Sequence, residues 1–169
     1  MVNNVYLGLG SNLGDKKQNL IESLKKLKDD NNIIFSAVSS LYISKAYGVK
    51  EQDDFFNIVL KINTLYSPFG LLNVCQKIEQ ECGRLKTKKW GPRKIDIDIL
   101  FYNNLVLNTG FLKIPHIEAN IRDFVLVPLC EIDNHFKHPV LNTDISEIEK
   151  KIVDRFIIDK IKFNEEEIV

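Results

Sequence analysis

Asp96 and Asp98 stand two residues apart in the run Lys88-Lys89-Trp90-Gly91-Pro92-Arg93-Lys94-Ile95-Asp96-Ile97-Asp98-Ile99-Leu100. Isoleucines alternate with them, as on a β-strand, whose side chains project to opposite faces in turn, so the two carboxylates share one face. Carboxylates held side by side repel each other. A hard cation is the usual compensation, with magnesium taking one or two carboxylates and completing its shell from phosphate oxygens and water. The basic residues just upstream would face the same phosphates, and the rigid Gly91-Pro92 turn beside Trp90 aims the Arg93 guanidinium. A metal clamp joined to Lys and Arg suits phosphoryl transfer, in which charge moves among oxygens and side chains supply little covalent chemistry. Asp-x-Asp alone is also the ordinary solvent face of an amphipathic strand. The adjoining Trp-Gly-Pro-Arg sets this one apart.

Other patterns narrow the chemistry by failing. Gly8-Leu9-Gly10-Ser11-Asn12-Leu13-Gly14 has leucine at position 13 where a dinucleotide fingerprint needs glycine, and no GxxxxGK[ST] occurs. His135 and His138 precede Pro139, which argues against the helix a metal pair at that spacing needs, so they read as structural or surface residues. His116, after Pro115, is open between loop packing and a phosphate contact. Lys plus Arg equal Asp plus Glu at 23 each, so no net field favours a nucleic-acid partner. Cys75, Cys82 and Cys130 form no CxxC and are odd in number, which fits buried thiols in a reducing cytoplasm. The N-terminus has no secretory pattern and no apolar run reaches bilayer length, so no membrane association is expected.

The elements that must position these residues follow from periodicity. With 169 residues, 44% of them hydrophobic, one domain spanning 1–169 is expected. Residues 4–9 read as a strand, Gly8 to Gly14 as a turn, and Asp15 as the opening of a helix carrying Leu20, Leu24 and Leu27. Segment 33–42 reads as one strand, paired in a hairpin with 55–62 across the long, polar connection 44–54. Ser67 and Pro68 start a second helix that Gly83 closes near Cys82. After the basic segment 84–93 come strand 95–102 and a turn at Asn103-Asn104 leading into 105–107. An apolar stretch at 124–129, a weak helical pattern at 145–153 and a fraying tail at 164–169 complete the chain. Two helices cover one face of a small sheet, which gives an α+β, antiparallel, ferredoxin-like architecture with a C-terminal extension.

These residues resemble the 6-hydroxymethyl-7,8-dihydropterin pyrophosphokinase family. The resemblance runs in order through the glycine turn, Asp54-Phe55-Phe56-Asn57, Glu79 with Gly83-Arg84, Trp90 to Ile99, Pro115-His116 and Arg122 to Leu129. It implies a ferredoxin-like fold, ATP as co-substrate, two Mg2+ ions, and AMP and the pterin pyrophosphate as products. By motif position, Asp96 and Asp98 would ligate the metals, with Arg84 and Arg93 beside them as catalytic residues. Glu79, Lys86, Lys89, Trp90, Arg93, Ile99, His116 and Arg122 would line the nucleotide site. Ser44, Tyr47, Phe55, Asn57, Trp90 and Phe124 would surround the pterin. Aromatic rings sandwich a flat heterocycle, and an Asn amide offers its edge both donor and acceptor. Segments 44–54 and 84–89 would serve as lids. The chain departs from the family pattern at Ser44, Ala46, Phe111 and Ile117, which bears on nucleotide affinity and loop mechanics. The partners implied are small molecules, with no nucleic acid, acting on a monomer. An RNA-binding sheet or a two-metal nucleotidyl transferase or nuclease built on the same Asp-x-Asp are the competing readings.

Overall fold

A computed structural model describes residues 2–48, 51–83 and 91–168. Strand β1 (Asn3–Ser11) leads into helix α1 (Lys16–Lys28), whose first turn is capped by Asp15: its carboxylate accepts the Gln18 N–H at 3.0 Å. Lys25, Lys26 and Lys28 sit at the other end, where the helix dipole favours positive charge. Helix α2 (Pro68–Glu81) begins as its sequence indicates, with Ser67 Oγ accepting the Gly70 N–H at 3.1 Å and Pro68 at the first position. Gly83, at φ +84°, ends it in the left-handed region that favours glycine.

Strands β2 (Ile33–Val38), β3 (Leu41–Ser44), β4 (Phe55–Thr64) and β5 (Asp96–Tyr102) complete the central βαββαβ pattern. The sheet order is β5-β1-β4-β3, with β2 also paired to β4, and the pairs are antiparallel. This is the ferredoxin-like arrangement. Segment 33–42, expected as one strand, is two. At the break Ser39 donates its N–H to the Val59 carbonyl at 2.9 Å, and its hydroxyl accepts the Val59 N–H at 2.9 Å. A side chain thus replaces a backbone acceptor in the ladder and lets the strand bend.

Two further expectations are corrected. Gly8 and Gly10 belong to β1 and not to the turn, because their backbone is already paired on both sides. The turn expected at Asn103-Asn104 is present, with Asn103 at φ +47° and the Leu105 N–H donating to the Tyr102 carbonyl at 3.0 Å, and beyond it β6 (Leu107–Asn108) pairs with β7 (Lys113–Ile114) in a separate ribbon. Residues 165–168, in the tail expected to fray, are packed. A 3-10 turn, Glu165–Ile168, seats Ile168 in the main core, and Lys17 pairs with Glu167 at 2.7 Å.

The apolar stretch at 124–129 lies in helix α3 (Asp123–Asp133), which tolerates Pro128 at the cost of one backbone donor. Helix α4 (Ile145–Glu149) is shorter than the pattern at 145–153 suggested. An unanticipated strand, β8 (Ile157–Ile161), adds itself to β3 at the sheet edge. The core therefore has two parts. Leu7, Leu9, Ile58, Leu60, Ile97 and Ile99 face α1 and α2; Tyr6, Val59, Leu100 and Phe101 face α3 and α4. Helix α3 covers only part of its face, and the uncovered part holds the cavity described next. Among the described residues, no helix is long and apolar enough to cross a membrane.

Candidate active site

The floor of the cavity is written in the register of three strands. Gly10 of β1 stands between Asp96 of β5 and Asn57 of β4; two residues along, Gly8 stands between Asp98 and Val59. Neighbouring strands lie about 4.8 Å apart, so carboxylate and amide face the same space roughly 10 Å from each other. The glycines keep that space open. A Cβ on Gly10 would lie 3.4 Å from Asn57 Oδ1, and one on Gly8 would lie 3.3 Å from the Leu100 methyls. The resulting cavity measures about 260 Å³.

At one end stand the charged groups. Asp96 Oδ2 accepts from Arg93 Nη1 at 2.5 Å, and His116 Nε2 lies 3.9 Å from Asp98 Oδ2. The His116 N–H donates to the Leu100 carbonyl at 2.9 Å, which anchors that residue to the end of β5. Arg122, just before α3, pairs with Glu118 on the preceding turn. The Asp98 side chain keeps 40% of its surface, but that surface looks into the cavity. Burial raises its proton affinity first and the Asp96 carboxylate adds to it, while His116, Arg122 and Arg93 act in the opposite direction. The two acids thus share a face, as their spacing predicts, with Arg93, His116 and Arg122 beside them.

At the other end, Asn57 Nδ2 donates to Ser44 Oγ at 2.9 Å and to the Tyr42 carbonyl at 3.3 Å. The amide is thereby turned so that its oxygen faces Gly10. Phe55, Tyr47 and Phe124 line this end, with the Arg122 guanidinium 4.8 Å from the Tyr47 ring centroid and 5.5 Å from that of Phe124.

Ten of the residues singled out from sequence therefore line one cavity: Arg93, Asp96, Asp98, His116 and Arg122 at its charged end, and Ser44, Tyr47, Phe55, Asn57 and Phe124 at the other. Glu79 and Ile99 do not. Ile99 is buried on the opposite face of β5, and Glu79 is buried on α2 with its Oε1 accepting the Ile97 N–H at 2.7 Å. Arg84, Lys86, Lys89 and Trp90, and with them the lid expected at 84–89, lie outside the described residues, as do residues 49 and 50 of the other lid.

Sequence reasoning missed Gln52 and Glu118, which also line the cavity, and the part played by Asn12. Asn12 is buried. Its Oδ1 accepts the Arg93 N–H at 2.8 Å, its own N–H donates to the Arg93 carbonyl at 3.1 Å, and its Nδ2 donates to Gln52 Oε1 at 3.0 Å. The available signal was the two-residue spacing of Gly8 and Gly10, which belongs to a strand floor as much as to a turn.

Among the described residues, no three His, Cys, Asp or Glu side chains gather as a self-sufficient metal cage. Two carboxylates open to a cavity are what Mg2+ uses when substrate phosphates and water supply its remaining ligands, so the donor set fits that ion.

A family model described as 7,8-dihydro-6-hydroxymethylpterin-pyrophosphokinase (HPPK) matches residues 6–134, the span that contains every residue of this cavity. The chain belongs to the HPPK family. It is 43% identical over 143 residues to the 2-amino-4-hydroxy-6-hydroxymethyldihydropteridine pyrophosphokinase of Aquifex aeolicus, covering 85% of this chain and 88% of that protein. It is 40% identical over 154 residues to the protein of the same name from Haemophilus influenzae, covering 90% and 95%. Among solved structures, wild-type Plasmodium falciparum HPPK-DHPS with pteroate superposes with a TM-score of 0.71 at 18% identity. That match covers 89% of this HPPK chain and 42% of the solved one, so the chain spans less than half of that protein. At such low identity the likeness speaks for the fold alone.

Proposed function

We propose that the protein transfers the pyrophosphoryl group of ATP to the hydroxymethyl group of 6-hydroxymethyl-7,8-dihydropterin, giving AMP and the pterin pyrophosphate for folate biosynthesis. One observation carries this reading. Acidic and amide groups share a glycine-floored row, roughly 10 Å apart, which suits a flat heterocycle at one end and a polyphosphate at the other.

Asn57 Oδ1 and Ser44 serve the edge of the pterin, and Phe55, Tyr47, Phe124 and Trp90 its faces. The hydroxymethyl oxygen attacks the β-phosphorus in line. Its bond to that phosphorus forms as the bond from phosphorus to the oxygen shared with the α-phosphate breaks, AMP departs and the alcohol proton is released. Arg93, Arg122, His116, Arg84, Lys86 and Lys89 hold the phosphates and take up charge that develops on their oxygens. Arg93 leaves Asp96 to do so. Glu79 and Ile99 act from beneath, by fixing β5. Two Mg2+ ions held by Asp96 and Asp98 would neutralise the triphosphate and polarise its oxygens. Segments 44–54 and 84–89 close over the substrates and exclude water. The reading extends to a monomer, because one chain supplies both ends of the cavity, and to a reducing cytoplasm, which suits the free Cys75, Cys82 and Cys130.

Incubation with ATP, Mg2+ and 6-hydroxymethyl-7,8-dihydropterin should release AMP in step with pterin pyrophosphate. Free pyrophosphate, or ATP turnover indifferent to the pterin, would overturn the proposal.

A further inference from the structure

Asp123 is 1% exposed, and the chemistry above makes no use of its carboxylate. Its partners are backbone N–H groups from two distant parts of the chain. Oδ1 accepts from Phe124 at 2.8 Å; Oδ2 accepts from Phe156 at 2.8 Å and from Ile157 at 2.9 Å. The first bond lies at the start of α3, where Asp123 stands between two residues that line the cavity, Arg122 and Phe124. The other two hold the point where β8 begins.

Phe156 connects this staple to the cavity wall. Its carbonyl accepts the Lys45 N–H at 2.9 Å, and its ring lies 5.3 Å from that of Tyr47 and 6.2 Å from that of Phe124. Tyr47 and Phe124 line the cavity; Phe156 backs them. Loop 45–47 and the start of α3 have no strand pairing to each other; they meet through side chains, Tyr47 on Arg122 and Phe124, and the segment wedged behind both adds a backbone tie to each.

We propose that Asp123 is a positioning residue: by gripping the Phe156 and Ile157 amides it sets Phe156 behind Tyr47 and Phe124, and so fixes the aromatic wall that the pterin ring packs against. This rests on assigning the Asn57 end of the cavity to the pterin. A carboxylate is suited to the task because both oxygens only accept, so three N–H groups converge on it; an Asn would turn an N–H toward an N–H.

The test compares full-length wild type, D123N, F156L and a control, E131Q. Glu131 ties the far end of α3 to Ser40 and Tyr42 of the sheet, so its loss loosens the same helix away from the wall. Affinity for AMPCPP with Mg2+ is measured by calorimetry. Affinity for the fluorescent oxidised probe 6-hydroxymethylpterin is then measured with AMPCPP and Mg2+ saturating. D123N and F156L should weaken the pterin probe at least about tenfold while changing the nucleotide analogue less than about threefold, and E131Q should leave both within that margin. F156L keeps the carboxylate and the amides, so it decides the question if D123N does not fold. Unchanged pterin affinity in F156L, or an equal loss in E131Q, overturns the inference. A wild type that binds AMPCPP but not the pterin probe overturns the pterin assignment itself.

Discussion

Glu79 separates two ways in which a buried acid near a phosphate site can matter. It is 4% exposed, and its Oε1 takes the N–H of Ile97, the residue between Asp96 and Asp98, at 2.7 Å. Among the described residues, strand β5 pairs in the sheet with β1 alone. Glu79 therefore acts as an outrigger for the stretch of backbone that carries both acids. A hydrogen bond to a charged acceptor contributes about 1.5–3 kcal/mol, and leaving a buried N–H unsatisfied costs a similar amount, so E79A should destabilise the fold by about 2–3 kcal/mol. For a chain of this size that corresponds to roughly 5–10 °C in melting temperature. Displacing reacting groups by about 1 Å costs on the order of a hundredfold in rate, so kcat for AMP release should fall by about that factor. E79Q keeps an acceptor in place and should lose no more than about 1 kcal/mol, with most of its turnover intact. Differential scanning fluorimetry and an AMP-release assay measure both. An E79Q protein that melts like wild type yet is as inactive as D96N would refute this account, because the carboxylate charge would then be acting on the ligands.

Three other perturbations have defined outcomes. D98N removes a negative charge that burial and Asp96 already disfavour, so the ligand-free protein should melt at or above wild type in scanning fluorimetry while turnover falls at least about a hundredfold; a clear drop in melting temperature would contradict this. G10A places a methyl group 3.4 Å from Asn57 Oδ1, an ordinary contact that takes up room on the cavity floor, so steady-state kinetics should give a pterin KM raised about tenfold or more with the urea midpoint unchanged. His138 is buried, with its Nδ1 accepting the Val140 and Leu141 N–H groups at 3.2 Å each, and burial lowers its pKa. Because the unfolded chain binds that proton more readily, the stability due to neutral His138 is complete above pH about 6.5 and declines as pH falls below it. H138Q should flatten that part of the urea-midpoint profile between pH 5 and 7, and an unchanged profile would count against the assignment.

Local rules carried far in this chain because they act between residues close in sequence. Asp15, Ser67, Pro68 and Gly83 mark helix ends through bonds that span at most a few residues, and all four do so here. The alternation around Asp96 and Asp98 needs only the strand period to place both acids on one face. The breaks in expectation have non-local causes. Strand 33–42 bends because Ser39 answers Val59; β8 adds itself to the distant β3; Ile168 joins the main core, its turn in contact with α1.

What the sequence alone determined is which residues carry charge, where helices start and stop, and that two carboxylates align; each is set by side-chain type and a short repeat. Tertiary structure decided that Gly8 and Gly10 form a floor, that Asn57 faces Gly10, that Asn12 holds Arg93, and that a carboxylate on α3 grips the backbone where β8 begins. These depend on strand register and chain return over tens of residues, where hydrogen-bond partners are chosen by packing and no spacing in the sequence encodes them.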